Sequence, residues 1–416
     1  MTILLTLVNL LVIAFLAHKE WRRSPDSDTA VFWSALSLRL AAGLTIGLLY
    51  QFYYHNTGDT FVFFNEATRL ASLFYEHPAA YFNFLLTGEG PVTITGEPRT
   101  AFFVSILSVV NLATANNYWL SSLWFSLFSF WCSYRLVLKL DLVLPRSKVA
   151  SRVALLFVPS VVLWSSGIVK ESLAFGAIAI LALHFLSIAR KQRPTWLSLL
   201  SIVVYSYLLL SLKYYWGAVL IPSMVSALVI HWTIERKTTN PWLLAGSWLL
   251  VFCVLSILVS FTHPNFYMDR FLTVIVGNHN EFIRISRPDN LIEYYNLSPE
   301  WSSIIVNSPW ALWSGLFRPM VFEASSVTGF VAALENLLLI ILVVWKLKSL
   351  RMPLAENRVI AFTAMMYVIV LCVFLALSTP NLGTLSRYRV GFLSFFVLMI
   401  LVDHPVLRFK SSSIKS

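Results

Sequence analysis

The stretch "PSVVLWSSGIVKESLAF", residues 159–175, decides how this chain is read. It lies between two apolar runs, is interrupted by Pro159 and bends at Gly167. It then places Lys170 beside Glu171 where a turn needs only small polar residues. In a soluble domain such a bend would be ordinary surface. At a membrane boundary a Lys–Glu pair is costly and calls for a reason.

Composition selects the membrane. Hydrophobic residues make up 58% of the 416 positions and charged residues 12%, and the mean hydropathy is +0.73, more apolar surface than a soluble core of this length buries. A membrane helix needs about 20 predominantly apolar residues. The pattern predicts spans near 2–18, 31–54, 117–138, 152–168, 172–189, 195–212, 215–233, 241–262, 325–345, 358–378 and 391–403, about eleven in all. The expected fold is all-α: one polytopic membrane domain over 1–416, with outward-facing interfacial helices. Residues 2–18 read as a retained first span, because no basic residue precedes them and no small-residue cleavage site follows. Cys132, Cys253 and Cys372 all fall in apolar runs, which argues against a disulfide framework.

The net charge of +11 suggests nucleic acid until the basic residues are placed. "HKEWRR", "KLDLVLPRSKVASR", "ARKQR", "ERK", "KLKSLRMPLAENR" and "RFKSSSIKS" hold 19 of the 31 Lys and Arg, and they alternate with acidic or mixed connections. Short basic loops mark the cytoplasmic side. The N-terminus is therefore expected outside and the C-terminus inside, with no nucleic-acid partner. Residues 56–116 then form a first large outer loop, with 101–113 as a buried or interfacial helix, and 263–324 form a second.

The unusual polar residues gather on the outer side. In "NTGDTFVFFNEATRL", Asp59 and Glu66 lie seven apart on an expected helix and so share a face. Asp59 reads either as a helix cap or as a general base or metal ligand, with Glu66 or His55 as its second partner. Lys170 and Glu171 read either as interfacial anchors or as a functional pair. Lys213 in "SLKYYWG", Arg318 in "SGLFRP", and Arg387, Tyr388 and Arg389 in "SRYRV" complete the set. Arginine offers a planar fork suited to phosphate, which makes these residues substrate- or phosphate-binding candidates. His279 and Glu281 are weaker metal candidates. Few charges sit well inside the spans, Arg39, Arg135, Glu335 and His184 among them. No P-loop, GxGxxG, HExxH or GxSxG is present, and no inverted repeat with paired broken helices, which counts against nucleotide-driven, hydrolase and transporter readings.

"GDTFVFFNEA" opening a long outer loop, the "PS-x-x-x-WSSG-x-x-KE" bend and a late "RYR" before the final span together resemble the integral-membrane glycosyltransferases of the GT-C class and their relatives in bacterial surface-polysaccharide synthesis. The resemblance covers most of the chain in topology, and its motifs are short. It implies a polyprenyl-phosphate-linked sugar donor, a glycan, lipid or protein acceptor, a plasma-membrane location, an outward-facing active site and an acidic residue in the first outer loop, here Asp59. The reaction expected is hexosyl or pentosyl transfer, with a divalent metal at Asp59 left open. An oligosaccharide repeat-unit polymerase and a transporter of an anionic or lipid-linked substrate are the alternatives.

Overall fold

The computed structural model describes residues 2–24, 28–53, 58–235, 237–238, 240–324, 326–348 and 358–407. His55 and the basic residues of 349–357 and 408–416 lie outside them. The described residues form helices α1 Thr2–Trp21, α2 Thr29–Leu48, α3 Asp59–Glu76, α4 Pro78–Thr87, α5 Pro98–Thr114, α6 Tyr118–Val143, α7 Lys148–Arg152, α8 Pro159–Trp164 and α9 Lys170–Ala189. They continue with α10 Trp196–Thr233, α11 Pro241–Ser260, α12 Phe271–Ile285, α13 Trp301–Phe317, α14 Val327–Lys348, α15 Arg358–Ser378, α16 Leu382–Tyr388 and α17 Val390–Leu401. An isolated bridge between Leu291 and Asn381 is the one β-type pairing among the described residues.

Seven of these helices are long and apolar enough to cross a bilayer. The number rises to nine when the bent pairs α5–α6 (117°) and α16–α17 (69°) each count as one span. On α11, Leu250, Val254, Ile257 and Leu258 are all exposed. Such a contiguous apolar face suits lipid and not water. The chain is a polytopic, membrane-embedded helical protein.

The count of nine leaves out the expected span 152–168 and takes the expected spans 195–212 and 215–233 as one helix. The expected span 152–168 is not one helix: α7 runs into a wide turn at Val153–Phe157, breaks at Val158–Pro159, restarts as the six-residue α8 and ends before Gly167. The expected spans 195–212 and 215–233 are joined as α10, whose 38 residues would measure about 57 Å at 1.5 Å per residue, far more than a bilayer. α10 folds back at Lys213, where the backbone leaves helical geometry (φ −142°, ψ 65°). Both halves therefore run beside α9: Ser201 meets His184 (2.9 Å) and His231 meets the carbonyl of Ala189 (3.1 Å).

The packing of α2 and α6 fixes the two ends of the bundle. They run antiparallel, with Phe32 against Tyr134 near one end and Gly47 against Tyr118 near the other. At the first end lie the Glu20–Arg135 pair (2.9 Å) and the pairing of Arg152 with Asp28 and Asp141. The second end receives Tyr50, the start of α3 and the start of α9. In the second expected outer loop, α13 packs against α15 with Gly315 directly over Cys372 and Ala376, and His279 of α12 donates Nδ1–H to the carbonyl of Leu377 (3.0 Å).

Candidate functional site

Four separate segments meet at the second end. Glu171, in the first turn of α9, has no exposed side-chain surface. Its Oε1 lies 2.7 Å from Lys213 Nζ, and its Oε2 accepts from Arg387 Nη2 (2.8 Å). The other terminal nitrogen of Arg387 donates to Asp59 Oδ2 (2.9 Å) and reaches the hydroxyl of Tyr50 at 3.5 Å. Lys213 also sits over the ring of Tyr388, 4.0 Å from its centroid. The result is a buried chain of alternating charge, Lys213–Glu171–Arg387–Asp59. Only its Asp59 end is open, with 58% of that side chain exposed.

Local sequence explains each placement. Val158–Pro159 and Gly167 force the breaks that bring the chain to the head of α9, and Gly167 takes φ +69°, which only glycine adopts freely. A β-carbon at Gly167 would lie 3.1 Å from both the Gly43 carbonyl and Ser122 Oγ. Lys213 reaches the cluster because α10 reverses there. Asp59 is the first residue of α3, where a carboxylate is favoured by the helix dipole.

Lys170 differs from its neighbours. Among the described residues it has no carboxylate partner: its Nζ donates to Thr100 Oγ1 (2.7 Å) and lies 4.8 Å from the centroid of the Phe63 ring. Lys213, Arg99, Asp59 and Glu171 all lie within its electrostatic reach. Arg99 is paired with Glu97; the remaining groups, Lys170, Lys213 and Arg387 with Glu171 and Asp59, are three cations and two carboxylates, so the cluster carries one positive charge in excess next to an exposed carboxylate. Neither α3 nor α9 has a side-chain cap at its start. A cation without a carboxylate partner near the positive end of a helix favours a bound anion.

The structure separates several residues that sequence reasoning grouped. Glu66 is not beside Asp59: seven residues are two helical turns, about 10 Å, and Glu66 Oε1 accepts from the Thr95 amide (2.9 Å) and from the Thr95 hydroxyl, tying the 88–97 connection to α3. Glu171 does not hold Lys170, since adjacent helical residues point apart. Arg387 and Arg389 diverge for the same reason. Arg389 is fully buried, donates to Asn336 Oδ1 (2.7 Å) and pairs with Glu335 (3.4 Å). Arg318 is paired with Glu323 (2.6 Å), and Glu281 with Arg284 (2.6 Å). Among the described residues no three of His, Cys, Asp and Glu converge as a metal site.

Two charges inside the apolar runs acquire a role that the sequence did not reveal. Pro159 has no N–H, and the amide of Ser160 is turned to Glu335 Oε2 (2.8 Å), so neither closes a helical bond to the carbonyl of Leu155. Arg39 Nη2 donates to that carbonyl (2.9 Å), while its Nη1 donates to Ser129 (3.1 Å) and Ser165. Glu335 holds the new helix start through the Ser160 amide and hydroxyl. The broken crossing is thus clasped from both sides by charged side chains on α2 and α14, as irregular backbone at membrane depth requires. Thr100, Tyr50 and Phe63 were also missed, because no motif marks a neutral residue that lines a charged cluster.

Comparison with protein-family models, with curated proteins and with solved structures finds no match to this chain.

Proposed function

We propose that this protein is a membrane glycosyltransferase that moves a sugar from a polyprenyl-phosphate-linked donor to an acceptor hydroxyl at the membrane surface. The observation that carries the reading is the exposed carboxylate of Asp59, 2.9 Å from Arg387, in a cluster where Lys170 has no carboxylate partner among the described residues. A lipid-phosphate donor needs cations for the phosphate and a base for the acceptor, both at the bilayer boundary.

The step balances with these groups. Asp59 takes the proton of the acceptor hydroxyl as its oxygen attacks the anomeric carbon. The bond from that carbon to the phosphate oxygen breaks, and its electron pair stays on the phosphate, against Lys170 and Arg387. Lys213 and Glu171 hold Arg387 in place from below. The opposite end of the bundle carries the described basic residues Arg135 and Arg152, and the basic-inside rule then favours an outer-face cluster with the N-terminus outside.

A repeat-unit polymerase that used both Arg387 and Arg389 on its substrate would need both guanidiniums at the site, and Arg389 is committed to Glu335 and Asn336. That favours a transferase with a carboxylate base. The test is transfer by the purified protein in nanodiscs from a polyprenyl-phosphate-linked sugar. Asp59→Asn should abolish product, and Lys170→Met should weaken donor use. Undiminished transfer by Asp59→Asn would remove the base from the mechanism, and flux of substrate into liposomes without covalent product would replace the reading with transport.

A further inference from the structure

Arg387 holds two carboxylates on its two terminal nitrogens, and they differ in everything but charge. Glu171 has no exposed side-chain surface and is gripped by Lys213 as well. Asp59 is 58% exposed, and among the described residues its carboxylate accepts from Arg387 Nη1, which also reaches the Tyr50 hydroxyl at 3.5 Å. One pair is built into the fold; the other is a single contact that water can reach. An exposed single-contact pair is weak. A phosphate oxygen accepts from a guanidinium with the same geometry as a carboxylate oxygen. Lys170, at the head of α9 beside Glu171, donates to Thr100 and has no carboxylate partner among the described residues, and so brings a second cationic donor to this end of the bundle.

Building on the proposed function, we infer that Asp59 is a placeholder for the substrate: its carboxylate occupies, on Arg387 Nη1, the position that a phosphate oxygen takes when a phosphate monoester or diester binds. Entry of the phosphate exchanges the Arg387–Asp59 contact for Arg387–phosphate and Lys170–phosphate contacts. Asp59 is released at the rim of the bound ligand, where the acceptor arrives. The exchange links binding to the base: the carboxylate stays engaged until the donor is seated. It also stops the site from holding two anions on one nitrogen.

The exchange has a consequence opposite to that of an ordinary binding residue: removing the Asp59 charge strengthens phosphate binding while it destroys turnover. The gain expected is roughly fivefold in Kd, about 1 kcal/mol, the upper range for an exposed ion pair. The experiment is binding by wild type, Asp59→Asn and Lys170→Met in nanodiscs, with inorganic phosphate and a short-chain prenyl phosphate as separate probes. Thermal stability is measured on each variant, and Asp59→Ser substitutes if Asp59→Asn fails to fold. Tightening by Asp59→Asn toward both probes supports the exchange and assigns the site to phosphate itself; tightening toward prenyl phosphate alone supports it with the lipid headgroup as the source. Unchanged or weaker binding by Asp59→Asn, with Lys170→Met still weakening it, overturns the placeholder and leaves the proposed function standing. Absence of binding by all three proteins overturns both.

Discussion

Glu171→Gln tests the charge chain at its centre. The substitution keeps volume and hydrogen-bonding capacity but removes the one charge that faces both Lys213 at 2.7 Å and Arg387 at 2.8 Å. With an effective dielectric of about 20, a unit-charge pair at 2.7 Å is worth about 6 kcal/mol before desolvation, which cancels much of it. Removing one member of a buried pair costs about 3–5 kcal/mol, because it strands the partner's charge. Here Lys213 loses the one carboxylate it pairs with among the described residues while Arg387 keeps Asp59, so about 4 kcal/mol is expected. Lys213→Met should cost less, about 2 kcal/mol, since Glu171 keeps Arg387. The double variant should cost about 4 kcal/mol rather than the sum of about 6, a coupling of about 2 kcal/mol. Equilibrium unfolding in mixed micelles of the wild type, both singles and the double measures the cycle. Additive costs would refute the claim that the two residues form one buried pair.

Three further expectations follow from the described contacts. Arg39→Met leaves the Leu155 carbonyl without its donor but strands no charge, so it should cost about 1–3 kcal/mol, less than Glu171→Gln; an equal or larger loss in the same unfolding assay would mean that Arg39 has an anionic partner. Gly167→Ala forces a β-carbon into the Gly43 carbonyl at positive φ, which should cost at least about 1 kcal/mol and lower prenyl-phosphate affinity by moving Lys170; unchanged affinity would separate the bend from the site. Burial lowers the pKa of His279 below its ordinary value, with the hydrogen bond to Leu377 partly opposing the shift. A depressed histidine contributes stability that is complete above its unfolded value of about 6.5 and declines as pH falls below it. The protection of the α12 amides, corrected for the intrinsic exchange rate at each pH, should therefore fall between about pH 7.5 and 5.5, and His279→Gln should flatten that change.

The membrane class, the helical composition and the positions of most long helices follow from the sequence because apolar runs of about 20 residues have few other solutions. Asp59, Lys170, Glu171, Lys213 and Arg387 were also legible, as charges at the ends of apolar runs, where burial is expensive enough to stand out. Which of them pair was not. Arg387 and Arg389 look alike in "RYR", yet two residues of helix turn them to opposite sides, one to Glu171 and Asp59, the other to Glu335 and Asn336. Asp59 and Glu66 share a face in a helical projection, which ignores the two turns between them. Arg39 and Glu335 stood out as costly charges, but their task depends on a helix break in a third segment. Periodicity fixes which way a side chain faces on its own element, whereas partners 42 to 328 residues away are set by how the helices pack. The cluster at Arg387 joins residues from four parts of the chain, and only the tertiary structure brings them within 3 Å of one another.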